Sequence, residues 1–232
     1  GFRTGNFAIT GASSDPDPDG AGPRAPTMVS TVAVSIERLD TNLCYVFAGA
    51  FTAPCPNYIP ASGLPASWTY TPTPNPYTTS VSYNVIARAQ DNAGNTQDVF
   101  ANGISSNTFT YNTAVPTIGI TAPSQPRRSD LSTLAGTATD AIPTSLAKVQ
   151  VRVLRQTGIN LFADPAPGVH AFSLDPATLA ESAWFDAASV SVPLWTNWTL
   201  SSGLPYVSGE TYRVEARVLN QAGTYSTTYS TQ

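Results

Sequence analysis

Charged residues are scarce in this sequence of 232 residues. They make up 11% of the chain, well below the roughly 25% of an average soluble domain. The net charge at pH 7 is −4, and Lys148 is the single lysine. Because a nucleic-acid partner needs a basic surface to meet its phosphates, we expect this chain to bind no nucleic acid.

Long apolar runs are also absent. None approaches the roughly 18 residues that indicate a membrane-spanning helix, so the sequence predicts no membrane span. No charged segment followed by an apolar one is present, as a secretory signal would require. The sequence begins at Gly1 rather than at a methionine. We therefore expect it to be a processed or excised piece of a longer tandem array.

Side chains that carry catalysis are few. His170 is the single histidine. A catalytic triad could combine it with Ser173 and either Asp175 or Asp164, but the three residues of a triad are seldom so close in sequence. The sequence also lacks a Gly-x-Ser-x-Gly turn, the motif that exposes a nucleophilic serine in many hydrolases. We therefore predict that the chain is not an enzyme and has no resident cofactor, with calcium as the one open case.

Only two cysteines occur, Cys44 and Cys55, and their spacing matches no metal-binding motif. One interpretation is a disulfide that closes a loop of about a dozen residues in an oxidising compartment. The other is a pair of buried thiols. Since the rest of the sequence is typical of an extracellular protein, we favour the disulfide and an extracellular or cell-surface location.

Strand-forming alternation is abundant. With 20 prolines and 16 glycines there is little room for long helices. The clearest pattern is Tyr83–Thr96, where Tyr, Val and Ala alternate with mostly polar residues before an Ala-Gly turn. It recurs, diverged, at Tyr212–Tyr225. Each copy predicts a long strand with one buried face, a tight turn at which glycine permits positive φ, and a return strand.

Three further blocks recur in the same order along the chain. Phe7–Asp15 matches Ser132–Asp140, Val32–Ile36 matches Val149–Val153, and Trp68-Thr69 matches Trp198-Thr199. Alternating strands at regular intervals predict an all-β fold of two antiparallel sandwiches, each with one solvent-facing sheet surface.

The boundary between the two copies is predicted near Pro116, which ends the preceding ladder. This gives domains at residues 1–113 and 114–232. The second begins with a strand at Thr117–Pro123, and the first has no equivalent strand ahead of Phe7. We expect neighbouring repeats of the same protein to be partners, including by donation of a strand to the copy that lacks its first one.

The segment Gly203–Gly223 resembles the penultimate-strand region of fibronectin type III domains. Asp91–Asn95 and the blocks Gly11–Asp15 and Gly136–Asp140 resemble bacterial immunoglobulin-like repeats of very large secreted and surface proteins. The resemblance covers nearly the whole chain. It implies two tandem immunoglobulin-like, Greek-key β-sandwich domains, an extracellular location and a spacer or adhesive role, with no catalytic residues to carry over.

Two segments depart from the family pattern by their length, Cys44–Ser67 and Gly158–Thr196. The second contains Trp184 and Trp195, whose flat rings are candidates for stacking on a sugar. Trp68 and Trp198 recur at equivalent places and are predicted to lie in the cores. Tyr70 and Tyr77, between alternating prolines, are predicted to form a stiff exposed rim.

A second candidate site is Asp15-Pro16-Asp17-Pro18-Asp19-Gly20. Asp15, Asp17 and Asp19 alternate and precede a glycine, as in the first part of a calcium loop. The place of the loop's bidentate glutamate is taken by Pro26, and the prolines stiffen the segment. Calcium binding and a solvated acidic loop are therefore both open.

Charged residues on the long repeated strand are predicted to face solvent. Arg88 and Arg217 occupy equivalent outward positions, and Glu215 faces out by the same parity. Surface pairs of this kind contribute little stability, so they are not interpreted as a binding site.

The function predicted from these patterns is a non-catalytic structural repeat segment of a secreted or surface-attached bacterial stalk, filament or adhesin. One alternative is a module that binds carbohydrate or protein through the long insertions. Another is an accessory region of a large secreted hydrolase. Surface glycans or proteins would be partners only in the binding-module case.

Overall fold

The computed structural model describes residues 1–15, 29–125, 127, 131–169, 171–191, 194–226 and 230–231. The chain divides into two compact units, Gly1–Thr113 and Ala114–Gln232. In the described ranges regular structure consists of β-strands and two short 3₁₀ helices, with no α-helix. The all-β prediction is thereby confirmed. None of the helices described there is long and apolar enough to cross a membrane.

Unit 1 is built from a large sheet and a small one. Its described strands are β1 Phe2–Arg3, β2 Ile9–Gly11, β3 Val29–Arg38, β4 Leu43–Val46, β5 Ala50–Pro54, β6 Ile59–Pro60, β7 Ser62–Leu64, β8 Ser67–Tyr70, β9 Val81–Asp91 and β10 Ser106–Tyr111. The large sheet has the order β1-β10-β9-β3-β4-β5, with β6 also paired to β3. The small sheet has the order β2-β8-β7. All of these pairs are antiparallel except β1 with β10.

The core of unit 1 is rich in aromatic rings. Tyr83 is fully buried on β9 and stacks with Phe109 of β10 at 5.4 Å between ring centres. Tyr77 meets Tyr83 edge to face at 5.0 Å and stacks on Phe7 at 5.3 Å. Offset and edge-to-face ring pairs of this kind each stabilise by roughly 0.5–1.5 kcal/mol beyond burial of their area.

The exposed rim predicted around Tyr70 and Tyr77 is wrong. Their side chains are 9% and 8% exposed. Burial raises the pKa of the Tyr77 hydroxyl above its usual value. The rings that the alternating prolines seemed to present to solvent instead fill the space between the two sheets of unit 1.

Unit 2 contains a four-stranded sheet and a six-stranded one. Its described elements are β11 Thr117–Ala122, β12 Thr133–Thr139, the 3₁₀ helix Pro143–Ser145, β13 Leu146–Arg155, β14 Leu161–Ala163, β15 Phe172–Leu174, the 3₁₀ helix Ala180–Ala183, β16 Phe185–Asp186, β17 Ala188–Ser191, β18 Leu194–Ser201, β19 Tyr212–Asn220 and β20 Ser230–Thr231. The sheet orders are β11-β12-β18-β17 and β15-β14-β13-β19-β20, with β16 also paired to β13. The alternating Val149, Val151 and Val153 lie fully buried between them.

A glycine beneath a tryptophan recurs in both units. Gly11 pairs with Trp68, and Gly136 pairs with Trp198. A Cβ added to Gly11 would lie 2.3 Å from the Trp68 ring, and one on Gly136 would lie 2.4 Å from the Trp198 ring. Each indole therefore lies across a strand position that admits only glycine. Both tryptophans are buried, as predicted.

A tyrosine corner also recurs. The Tyr83 hydroxyl accepts the Thr78 N–H at 2.8 Å, and the Tyr212 hydroxyl accepts the Val207 N–H at 2.9 Å. Both tyrosines lie near the start of the long repeated strand, and both partners are five residues upstream. This feature is a hallmark of immunoglobulin-like sandwiches.

The turn after the long strand is built alike in the two units. Asp91 accepts the Asn95 N–H at 2.8 Å, and Asn220 accepts the Thr224 N–H at 2.9 Å. Gly94 and Gly223 have φ of +92° and +87°. The predicted positive-φ turn is present in both copies. Each turn is closed by one isolated bridge. The predicted return strands follow as β10, antiparallel to β9, and β20, antiparallel to β19.

The two units differ at their first strand. In unit 2, β11 pairs antiparallel with the outer edge of β12. In unit 1, a two-residue strand, β1, does precede Phe7. However, β1 pairs with β10 rather than with β2, the counterpart of β12. Within the described residues β2 pairs with β8 alone.

Candidate functional sites

The outer face of β13 and β19 carries a stack of alternating rings and guanidinium groups. Trp184 lies between Arg152 and Arg217, whose Cζ atoms are 4.4 Å and 4.1 Å from its ring centre. Arg152 also lies 4.5 Å from the ring of Phe162, and Arg217 lies 4.6 Å from that of Tyr225. Five side chains from distant parts of unit 2 thus alternate as ring, cation, ring, cation, ring.

Strand register explains how the two arginines reach one ring. Arg152 is paired across the sheet with Glu215, and Gln150 is paired with Arg217. Side chains two apart on a strand share a face, so all four point away from the valine core. The Nε–H of Arg217 donates to Gln150 Oε1 at 3.0 Å, which orients its guanidinium.

The long insertion 158–196 covers this face, which corrects the expectation of a solvent-facing surface. It adds β14 and β15 beyond the edge of β13 in the same sheet, and it places the 3₁₀ helix Ala180–Ala183 beside Phe162 and the outward Leu154. There Leu154, Phe162 and Ala183 form a small second hydrophobic cluster. The outward residues Gln150 and Arg152 are each only 8% exposed as a result.

Glu215 was predicted to face solvent and does not. It points away from the valine core, as its parity requires, but it is 5% exposed. Its carboxylate accepts Arg152 Nε–H at 2.5 Å and lies 2.7 Å from Arg213 Nη2. A buried carboxylate needs such partners, because an unpaired charge in this setting is costly.

Glu181 closes the stack on its solvent side. One carboxylate oxygen accepts Arg217 Nη1–H at 2.6 Å, and the other lies 3.9 Å from Arg152 Nη1. The hydrogen bond from Arg217 holds the pKa of Glu181 below its usual value. Both stacked arginines are therefore neutralised within unit 2, which suits a role in cohesion.

Trp184 and Trp195 are the candidate rings for stacking on a sugar. Trp184 is 7% exposed and has the guanidinium groups of Arg152 and Arg217 within 4.4 Å of its ring centre, so its placement at the surface is corrected. Trp195 is partly buried against the main core of unit 2. The two rings lie in different environments, and the glycan-binding role of Trp195 stays a prediction.

The remaining predicted site residues are placed as follows. The structure joins Cys44 and Cys55 by a disulfide, with Cα atoms 5.1 Å apart. Asp15 is partly buried at the end of β2, whereas Asp17, Asp19 and His170 lie outside the described residues. Within the described part of the chain, no three His, Cys, Asp or Glu side chains are grouped as metal ligands would be. Calcium binding stays a prediction.

A groove with both apolar and polar side chains in its lining opens between the two sheets of unit 1. It encloses about 920 Å³ and runs between β2 on one side and β9 and β10 on the other. Core side chains form its floor, namely Phe7, Ile9, Trp68, Val85, Ala87 and Phe109. We call it the β2 groove. It gives the described part of unit 1 direct access to its hydrophobic core.

No protein-family model matches the sequence, and no curated protein matches it significantly. Among solved structures, the FN1–FN3 domains of chicken CNTN1 match at 13% identity and a TM-score of 0.42, over 100% of this chain and 60% of that one. A tetra-tandem repeat from the extending region of a large adhesion protein matches at 16% identity and a TM-score of 0.31, over 97% and 44%.

An α-L-rhamnosidase from Dictyoglumus thermophilum matches more weakly, at 9% identity and a TM-score of 0.25, over 89% of this chain and 25% of that one. The chain thus spans 60% or less of the length of each of these structures. With TM-scores below 0.5, these likenesses identify neither a family nor a function.

Sequence reasoning missed both the stack and the β2 groove. The stack had one usable signal, since Arg152 and Arg217 alternate with core residues on adjacent predicted strands and a tryptophan lies in the intervening insertion. The groove had another, the missing first strand of copy one. That absence led to the expectation of a donated strand, but it did not predict an opening into the core.

Proposed function

We propose that this chain is a non-catalytic structural repeat segment of a secreted or cell-surface bacterial protein, and that it consists of two tandem immunoglobulin-like, fibronectin type III-like domains at residues 1–113 and 114–232. The observation that carries the proposal is the duplicated architecture. Each unit has its own hydrophobic core, its own glycine–tryptophan contact and its own tyrosine corner. A tandem of self-sufficient sandwiches is suited to hold other parts of a protein at a distance.

The long antiparallel pairs support a role under tension. β3 and β9 pair from Val29 to Arg38, and β13 and β19 pair from Leu146 to Arg155. Each unit also has one further restraint, the disulfide in unit 1 and the ring–guanidinium stack in unit 2. Such restraints suit a segment that must stay folded while it is pulled.

Single-molecule stretching of the chain, held at Gly1 and Gln232, tests this proposal. We expect two separate unfolding events, each lengthening the chain by about 35 nm, as follows from roughly 3.3–3.6 Å per extended residue. Reduction of the disulfide should lengthen one event by about 4 nm, because the eleven residues after Cys44 are then released, and should leave the other unchanged.

Two results would count against the structural role. One is a single cooperative event spanning the whole chain, because it would mean that the units do not fold independently. The other is unfolding of both units at forces too low to be distinguished from the thermal noise of the measurement, because such units could not stay folded while they are pulled. A glycan array probed with the same protein, and with a Trp195→Ala variant as control, separates the structural role from the carbohydrate-binding alternative.

A further inference from the structure

We propose that the β2 groove of unit 1 binds an extended polypeptide strand that adds to the free edge of β2, with alternate β-branched apolar side chains directed into the groove. The occupant we infer is a strand with the chemistry of Thr117–Ala122, the strand that fills the equivalent place in unit 2. This inference goes beyond the proposed structural role and does not depend on it.

The backbone edge of β2 supplies the first argument. Within the described residues β2 is hydrogen-bonded on one side only, to β8. Its counterpart β12 is paired on both sides, with β11 and with β18. β2 spans three residues and β12 spans seven. An unpaired edge beside exposed apolar side chains is a ready template for strand addition.

Matched positions in the two units supply the second argument. Ala87 of β9 aligns with Ala216 of β19, and Ile9 of β2 aligns with Leu134 of β12. Ala216 and Leu134 are both fully buried. Ala87 and Ile9 are only partly buried and line the groove. The same positions of the fold are therefore sealed in unit 2 and open in unit 1.

The residues that seal unit 2 define the chemistry of the occupant. Ile118 and Ile120 of β11 pack against the main core of that unit, and β11 lies against β19. Gly119 lies between the two isoleucines and has no side chain on the opposite face of the strand. A strand that replaces β11 in unit 1 therefore needs two β-branched side chains spaced two residues apart, which matches strand geometry.

A glycine on the receiving strand permits the close approach. In unit 2, a Cβ on Gly136 would lie 2.0 Å from the carbonyl oxygen of Gly119, so β11 can reach β12 only because residue 136 is glycine. Gly11 occupies the same position in unit 1. The three atoms nearest to a Cβ on Gly11 belong to the Trp68 ring, at 2.3–3.1 Å, so no described backbone atom approaches it as closely as Gly119 approaches residue 136. The backbone of β2 is thus already shaped to receive a strand.

The test uses a fluorescently labelled synthetic peptide, Val115–Ala122, and the intact 232-residue chain. We expect saturable binding in fluorescence anisotropy and slowed amide hydrogen exchange between Phe7 and Ser14. A control peptide with Ile118→Asp and Ile120→Asp should bind at least about tenfold more weakly, because it would place charges against the core side chains Ile9, Ala87 and Phe109 of the groove. This control leaves the protein unaltered.

A variant of the protein gives the reciprocal test. Ala87→Phe fills the groove from within and should reduce peptide binding about tenfold or more. Circular dichroism checks that the variant is folded. Sedimentation of the unlabelled chain shows whether a second copy supplies the strand, in which case the peptide should dissociate the dimers.

The proposal is overturned if the wild-type chain shows no saturable binding up to millimolar peptide. It is equally overturned if the two peptides bind alike, or if the amides protected on binding lie outside β2 and its neighbours. Neither result bears on the unfolding events expected under force, so failure of this inference and failure of the structural role are distinguishable.

Discussion

Gly136 is the point at which three elements of unit 2 come closest together. A methyl group there would meet the Gly119 carbonyl oxygen at 2.0 Å and the Trp198 ring at 2.4 Å. One of these is backbone and the other is a fully buried ring, so neither has room to move. The position therefore requires glycine for space rather than for backbone freedom.

Gly136→Ala is accordingly expected to lower the free energy of unfolding of unit 2 by about 3 kcal/mol, toward the upper end of effects seen for overpacking. Gly119→Ala is the matched control. Its Cβ would meet only Thr137 Oγ1, at an ordinary 3.5 Å, so a change below about 1 kcal/mol is expected. Urea titration of both variants measures the difference, and equal effects would contradict this account of the contact.

The carboxylate of Glu181 makes the stability of unit 2 depend on pH. Its pKa is lowered in the folded state by the hydrogen bond from Arg217. Its stabilisation is therefore present above its unfolded pKa of about 4.3 and is lost as the pH falls through the lower folded value.

We expect Glu181→Gln to lower the thermal midpoint at pH 7, and we expect the difference from the wild type to shrink as the pH falls and the wild-type carboxylate becomes protonated. Calorimetric scans of both proteins across this range measure it. A difference in midpoint that is constant with pH would show that the charge of Glu181 is not what the stack uses.

Single residues were the scale at which sequence reasoning was least reliable. It assigned Trp68 and Trp198 to the cores correctly because each recurs at an equivalent place. Trp184 has no counterpart in the first copy, so nothing in the sequence indicated what would cover its faces. The alternation correctly predicts that the Glu215 side chain points away from the core. It does not predict exposure to solvent, because an insertion distant in sequence folds over that face of the sheet.

At the scale of elements, the ring–guanidinium stack forms a second buried layer on the outer face of β13 and β19. Arg152 is its central member. Its side chain contacts two rings, donates to Glu215 at 2.5 Å, and donates to the carbonyl of Ala180 at 3.0 Å. One side chain thus ties two strands and a 3₁₀ helix together.

Arg152→Met is expected to destabilise unit 2 by about 3 kcal/mol. It removes one of the two arginines that the described residues place against the buried Glu215 carboxylate and leaves Arg213. Arg88→Met is the control in unit 1. Arg88 lies over Tyr58 at 3.7 Å, a contact at a more open site that contributes about 1 kcal/mol or less. Thermal unfolding of both variants measures the difference.

A double variant isolates the ion pair. If the cost of Arg152→Met comes from a stranded charge, then adding Glu215→Gln should recover part of it, and the two changes together should cost less than their sum. Strict additivity would instead assign the loss to the packing of Arg152 on its rings.

The elements themselves were largely predictable. The period of two in Val32–Ile36, Val149–Val153 and the two tyrosine-led strands placed these segments on buried sheet faces, where the structure has them. The short strands β4 to β7 and β14 to β17 carry little alternation, and their places depend on contacts distant in sequence. No local pattern could reveal that the second insertion would cover the sheet.

At the scale of the whole molecule, the two units are restrained in different ways. Unit 1 has the disulfide, which closes a loop with a sequence separation of 11, and unit 2 has the stack. On the chain-entropy model such a loop contributes about 3 kcal/mol by restricting the unfolded chain. That contribution belongs to unit 1 alone.

Replacement of both cysteines, Cys44→Ala with Cys55→Ala, is therefore expected to lower the unfolding transition of unit 1 by about 3 kcal/mol and to leave that of unit 2 in place. Calorimetry should show one peak shifted and the other unchanged. A parallel shift of both peaks would mean that the units unfold as one cooperative body.

The position of β11 has a consequence for a chain under load. It is the first strand after the residue at which unit 2 begins, Ala114, so a pull from the preceding chain acts on it before any other strand of that unit. Its detachment would uncover Leu134 and Ala216 and leave β12 paired on one side only, as β2 is among the described residues. Tension would thereby switch unit 2 from closed to receptive, and peptide capture measured on a stretched single molecule would reveal a second acceptor that the relaxed protein keeps hidden.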